Sequence, residues 1–229
     1  MKKNIIFAVI FCCLVTVIGQ FCKSGFRNIG LNEVNNVEQL QGYKLAFESV
    51  EGTEEVTYYK EQKKHYLDKY AEAEDILIVE PTGKCVIGAE GSQQEVLVKK
   101  VIKGKKQLVD ESIWIDGILS VAYNEKEKGI RIDGYLNFMQ KKNQYLVFCD
   151  PYGVYKIEGK EDCSKYYHSD CFFGHLNITK QDIAFRTIKA NQDYKMQDLS
   201  KYEMWGKDEA LKKVKQEIKD ALIERYVTA

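Results

Sequence analysis

The chain has 229 residues, and its 34 Lys and Arg are matched by 34 Asp and Glu, so it carries no net charge. An apolar share of 45% and a charged share of 30% are those of a globular protein with one or two domains, which excludes wholesale disorder. The charge balance argues against nucleic-acid binding, which brings a basic surplus or stripe; two prolines beside 15 Tyr and 10 Phe point to a sheet-rich chain.

Lys2 and Lys3 precede an apolar run over residues 5–21. As a helix this run spans roughly 25 Å, just short of a hydrocarbon core of about 30 Å. Residues 1–22 therefore read as an N-terminal transmembrane anchor or a signal segment. The positive-inside rule keeps the lysines in the cytoplasm and exports the chain beyond the apolar run. Cleavage after a small-residue site at residues 17–19, or lipidation at Cys22, are the alternatives; each leaves the rest of the chain outside, as a membrane-held or a secreted domain.

Residues 23–53 read as a connecting segment, with a short helix possible around residues 37–47. Residues 54–229 read as the folded domain. Over residues 54–72, Val56, Tyr59, Tyr66, Leu67 and Tyr70 fall on one helical stripe, with Thr53 placed as N-cap. Residues 76–79 are continuously apolar, as a strand covered on both faces would be. Pro81, Thr82 and Gly83 suggest a turn, and strands follow at residues 85–87 and 96–102, the last stopping at Gly104. Further strands are expected at residues 113–115, 130–135, 145–149, 154–157, 172–178 and 183–188, with a turn at residues 150–153. Short strands at this spacing predict an antiparallel barrel or sandwich rather than a βαβ fold. From Asp208, an N-cap residue, the stripe Leu211, Val214, Ile218, Ala221, Leu222, Tyr226 predicts an amphipathic C-terminal helix packed on the β core. The fold class is thus mainly β with flanking helices.

Three segments carry a family resemblance: Ala73-Glu74-Asp75-Ile76-Leu77-Ile78-Val79, Val98-Lys99-Lys100-Val101-Ile102-Lys103-Gly104-Lys105 and Gln144-Tyr145-Leu146-Val147-Phe148. In this order between two helices, they resemble the small membrane-anchored extracytoplasmic proteins of Gram-positive bacteria whose core is an OB-like barrel similar to the netrin/TIMP module. The resemblance covers residues 54–226 and includes no catalytic motif. It implies an antiparallel OB-like β-barrel acting as a binding or structural module. The cysteine-rich N-terminal edge that the animal inhibitors insert into proteases is missing here, so an inhibitory role is not carried over.

Seven cysteines invite chemistry. Cys163 and Cys171 bracket a short polar loop and could form a structural disulfide in an oxidising compartment; a Cys85–Cys149 bridge is another option. The same loop offers zinc-type ligands, Cys163, His168, Cys171 and His175, spaced C-x4-H-x2-C-x3-H, and a Cys/His pair for a thiol-dependent hydrolase. The spacing matches no zinc motif, and no G-x-S-x-G, H-E-x-x-H, Walker loop or C-x-x-C occurs. His65 lies opposite its helix's apolar stripe and reads as solvated. The carboxylate pairs Asp110/Glu111 and Asp116/Asp133 read as turn residues, and Tyr58/Tyr59 and Tyr166/Tyr167 as half-buried rims. Asn177-Ile178-Thr179 matches a glycan acceptor. The expectation is therefore a non-catalytic binding or interaction module with no cofactor and no nucleic-acid partner. Its partner would be an envelope protein, a peptide or a transporter subunit. The alternatives are a zinc- or thiol-dependent hydrolase and a structural spacer at the cell surface.

Overall fold

The computed structural model describes residues 34–47, 53–87, 92–116, 120–124, 129–133, 136–151, 166–169, 174–189 and 192–228. The expected membrane segment (residues 1–22), the strand at 154–157, and Cys163 and Cys171 lie outside them. No helix among the described residues is long and apolar enough to cross a membrane.

The domain is mainly antiparallel β with a few helices. In chain order it comprises β1 (Lys44–Phe47), α1 (Thr53–Glu72), β2 (Asp75–Ile87), β3 (Ser92–Lys103), β4 (Ser112–Asp116), β5 (Ser120–Asn124) and β6 (Gly129–Asp133). Then come β7 (Tyr145–Pro151), β8 (Tyr166–Ser169), β9 (His175–Asn177), β10 (Phe185–Thr187), β11 (Asp193–Lys195), α2 (Met196–Leu199), β12 (Met204–Gly206) and α3 (Glu209–Ile223). The main sheet runs β2-β3-β4-β8-β7-β9, and β7 also pairs with β2 over Asp75–Val79 and Tyr145–Cys149. A second sheet runs β11-β1-β6-β5, and β10 pairs with β12. Three of these ladders, β1–β6, β4–β8 and β10–β12, are parallel.

The long β2–β3 hairpin forms where its sequence is most apolar. Ile76, Leu77, Val79, Val96 and Val98 are all fully buried, covered on both faces as their continuous run requires. The turn expected at Pro81–Gly83 is instead a bulge within β2. Pro81 faces Val96 and Cys85 faces Gln94, so residues 82–84 loop out while the strand continues. Gly83 supplies φ +95° at this point, and Thr82 Oγ1 donates to Glu95 Oε2 at 2.8 Å, which holds the bulge down. The helix considered over residues 37–47 is a short 3-10 helix of two turns, Val37–Gly42, capped by Asn36 with Gln39 in a reciprocal box. It stops at Gly42, and the chain enters β1, where Leu45 and Phe47 join the core.

The two long helices lie side by side, and α3 also packs against β10 and β12. Val56, Tyr59, Tyr66 and Tyr70 of α1 are buried, as the stripe predicts; Leu67 is partly covered, and Thr53 is the first helical residue rather than the cap. The Tyr70 ring meets Phe148 of β7 at 4.9 Å, and Phe148 meets Tyr226 at 5.6 Å. Asp208 caps α3 by accepting from Ala210 N at 2.8 Å. Its buried face carries Leu211, Val214, Ile218 and Leu222 as expected, together with two lysines, Lys215 and Lys219. Lys215 Nζ sits 5.4 Å from the centre of the Tyr59 ring, which corrects the reading of Tyr59 as a rim residue; Tyr58 is the exposed one.

Buried amides tie the layers together. Gln94 of β3 donates to Met139 O at 2.7 Å and accepts from Met139 N at 2.9 Å. Both polar ends of this side chain are thus satisfied inside the core. Cys85 and Cys149 are free and buried, so no bridge joins them. Burial pushes the Cys85 thiol up to about 12, and pushes Cys149 well above its ordinary value with help from Asp75 and Asp150. Both thiols should therefore resist iodoacetamide in the folded protein at mildly alkaline pH and react only on unfolding. Peptide mapping after alkylation checks this; rapid native labelling of Cys85 would mean that β2 opens locally.

Candidate functional site

Of the four zinc-type residues, Cys163 and Cys171 lie outside the described residues. His168 is placed as backbone within β8, opposite Asp116 of β4 and Asp150 of β7. Only His175 has a described side chain. Among the described residues no group of three or more metal-type ligands comes together. His65 is exposed, as expected. Asp110 and Glu111 are exposed turn residues, and Asp110 N donates to Val98 O at 2.8 Å. Asn177 is buried, and its Oδ1 accepts from Thr179 N and Lys180 N at 2.9 and 3.0 Å, a closed turn unsuited to a glycan.

His175 instead belongs to a small chamber beneath α3, whose mostly apolar lining holds a few polar groups. Its walls come from the 136–138 segment, Tyr145 of β7, β9, Ile183, Glu203, Met204 and Lys219. His175 Nε2 lies 3.0 Å from Asn137 O. Because a carbonyl can only accept, the imidazole donates from Nε2, and Nδ1 is left as a lone pair. Burial lowers its pKa to about 4, so the ring is neutral. Glu203 Oε2 lies 3.7 Å from Lys219 Nζ, which also donates to Lys180 O at 2.9 Å. Burial raises the Glu203 carboxyl, against the pull of Lys219 and Lys180, and lowers Lys219, against the pull of Glu203. Tyr145 is pushed up to about 12 by burial, while its Oη accepts from Gln140 N at 2.8 Å. Three buried atoms of this cluster, His175 Nδ1, Asn177 Nδ2 and Glu203 Oε1, have no protein partner.

The second concave feature is an open groove of about 770 Å³ between the β1–β11 edge, β10 and the 197–202 segment. Lys44, Arg186, Lys195 and Lys201 line it with Asp193 and Asp198. Asp193 is engaged by Lys44 at 3.7 Å. The Arg186 guanidinium stands 5.8 Å and the Lys201 ammonium 5.2 Å from the centre of the Tyr202 ring, so two cations share one aromatic platform. Asn137 fixes that platform from below: its Nδ2 donates to Leu199 O at 3.1 Å and to Tyr202 O at 2.9 Å. Chamber and groove thus meet at Asn137, whose carbonyl serves His175 and whose amide serves the groove floor. The sequence singled out none of the groove residues: all but Lys44 fall within residues 186–202, a polar stretch that carries no motif of its own.

Searches against protein-family models, curated proteins and solved structures find nothing that matches this chain. The functional reading therefore rests on the site itself.

Proposed function

We propose that the chain is a membrane-tethered extracytoplasmic binding module, without catalytic activity of its own, whose ligand is a short acidic segment of a neighbouring envelope protein. Export and tethering rest on Lys2, Lys3 and the apolar run over residues 5–21. An OB-like barrel is the fold this reading takes for the main sheet. Its support is the ladder β2–β3–β4–β8–β7, which returns to β2 and in which only β4–β8 is parallel.

The groove carries the binding proposal. Zero net charge disfavours a long polyanion, but a local surplus of cations over an aromatic ring suits a short anionic ligand. The same cations keep water access, so contact with carboxylates exchanges hydration for charge-assisted hydrogen bonds and depends on salt.

The test is a titration of the full-length chain, in a non-ionic detergent, with hexaglutamate and with hexalysine as control. Hexaglutamate should shift the amide signals of Arg186, Lys195, Lys201 and Tyr202. Losing one charge-assisted contact costs about 1.5–3 kcal/mol, so Arg186→Ala together with Lys201→Ala should weaken binding by about tenfold or more. Shifts spread evenly over the basic surface, or none at all, would overturn the proposal and favour a spacer.

A further inference from the structure

We infer that the chamber beneath α3 is a binding site for one ordered water molecule, held by His175 Nδ1, Asn177 Nδ2 and Glu203 Oε1. All three atoms are buried and have no protein partner, and their three residues line the same cavity. Their hydrogen-bonding sense is fixed by what their other ends do. His175 donates from Nε2 to Asn137 O, so Nδ1 accepts. Asn177 Oδ1 is occupied by the amides of Thr179 and Lys180, so the side-chain amide cannot be turned round and Nδ2 donates. The Glu203 carboxylate accepts at Oε1. One donor and two acceptors are the complement of a water molecule, which has two hydrogens to give and lone pairs to receive.

Size and charge exclude the other small guests. The space open to a water-sized molecule is about 10 Å³, near the roughly 10–15 Å³ that one water requires. A cation would face the Asn177 amide hydrogens and compete with Lys219, which already neutralises Glu203. An anion would face the lone pair of His175 and the Glu203 carboxylate. Three partners are also the usual number for a buried water, about 3.

Such a water joins β9 to the residue before β12, and it does so one hydrogen bond away from Asn137. It is therefore a positioning element for Tyr202, whose carbonyl Asn137 holds.

The full-length chain in non-ionic detergent, labelled with ¹⁵N, tests the site without any variant. The expected result is long-lived water cross-peaks to the Leu176 and Asn177 amides. The His175 ring should be the Nε2–H tautomer, with Nδ1 shifted upfield by an accepted hydrogen bond. Absence of the cross-peaks with Nδ1 at its unbonded position means a dry chamber and overturns the inference, as does a stoichiometric metal found by elemental analysis and displaced from this ring. A second arm uses His175→Phe, which removes the lone pair. Loss of the cross-peaks in the folded variant supports the role of Nδ1, and their retention overturns it.

Discussion

Gly104→Ala lowers the stability of the domain by about 4 kcal/mol, from backbone strain of roughly 1–3 kcal/mol and a buried acceptor losing its donor at a similar cost. Gly104 follows the last residue of β3 at φ +105°, which side-chain-bearing residues rarely adopt. A Cβ there would collide with Asp75 Oδ1 and stand 3.0 Å from Glu74 O. Asp75 cannot yield cheaply, because it is buried and its Oδ1 accepts from Lys105 N at 2.9 Å. Displacing it would remove that bond at the point where β2 begins, beside the pair Ile76 and Lys103. Thermal unfolding should shift down by about 10 °C for a domain of this size.

Gly83→Ala is the control that separates strain from collision. Its φ is +95°, and its Cβ would run into Lys141 Cε. Lys141 is a flexible, half-exposed side chain, and its 3.0 Å ion pair with Glu38 lies in solvent. Swinging it away forfeits little, since exposed pairs contribute about 0–1 kcal/mol. Gly83→Ala should therefore cost about 1–2 kcal/mol, the strain alone. Equal losses at the two glycines would show that Asp75 is not the obstacle.

The same contrast explains what could be read from the chain. The α1 and α3 stripes, the Asp208 cap and the apolar run of β2 are local patterns, and a burial face imposes its period on each. Gly104 was legible as the end of β3 because a left-handed glycine is a common way to stop a strand. The three-residue strands β10, β11 and β12 were not all legible. Met204–Gly206 is held by a parallel ladder to Phe185–Thr187 and by burial of Trp205, whose ring packs 5.2 Å from Phe47. Those contacts are long-range, and three residues carry no period. Residue type alone puts Lys215 and Lys219 on the polar face of α3. Their positions nevertheless lie on the buried arc, Lys215 four residues after Leu211 and Lys219 beside Ile218. His175 was visible only beside its sequence neighbours Cys163, His168 and Cys171. The partners that define its described surroundings, Asn137, Tyr145 and Glu203, come from three other segments.

Between neutral pH and pH 4 the wild type loses about 3 kcal/mol more stability than His175→Gln. The unfolded chain protonates His175 near 6.5, whereas the folded chain does so only near about 4, because burial disfavours the imidazolium. The unfolded state therefore binds the extra proton throughout this window, and stability falls as pH falls from about 6.5, levelling below about 4. Glu203 faces the same chamber with the opposite sign. Its raised carboxyl holds a proton in the folded state at pH values where the unfolded state has released it, so acidification stabilises through that group. Tyr145, pushed up to about 12, stays neutral across the window. Glu203 and Lys219 remain in both proteins, so the difference between the two urea-unfolding curves isolates the histidine. Gln can still donate to Asn137 O, which keeps the groove floor anchored while removing the titrating ring. Parallel curves would mean that the imidazole takes up its proton in the folded state as readily as in water, and that the chamber is open to solvent.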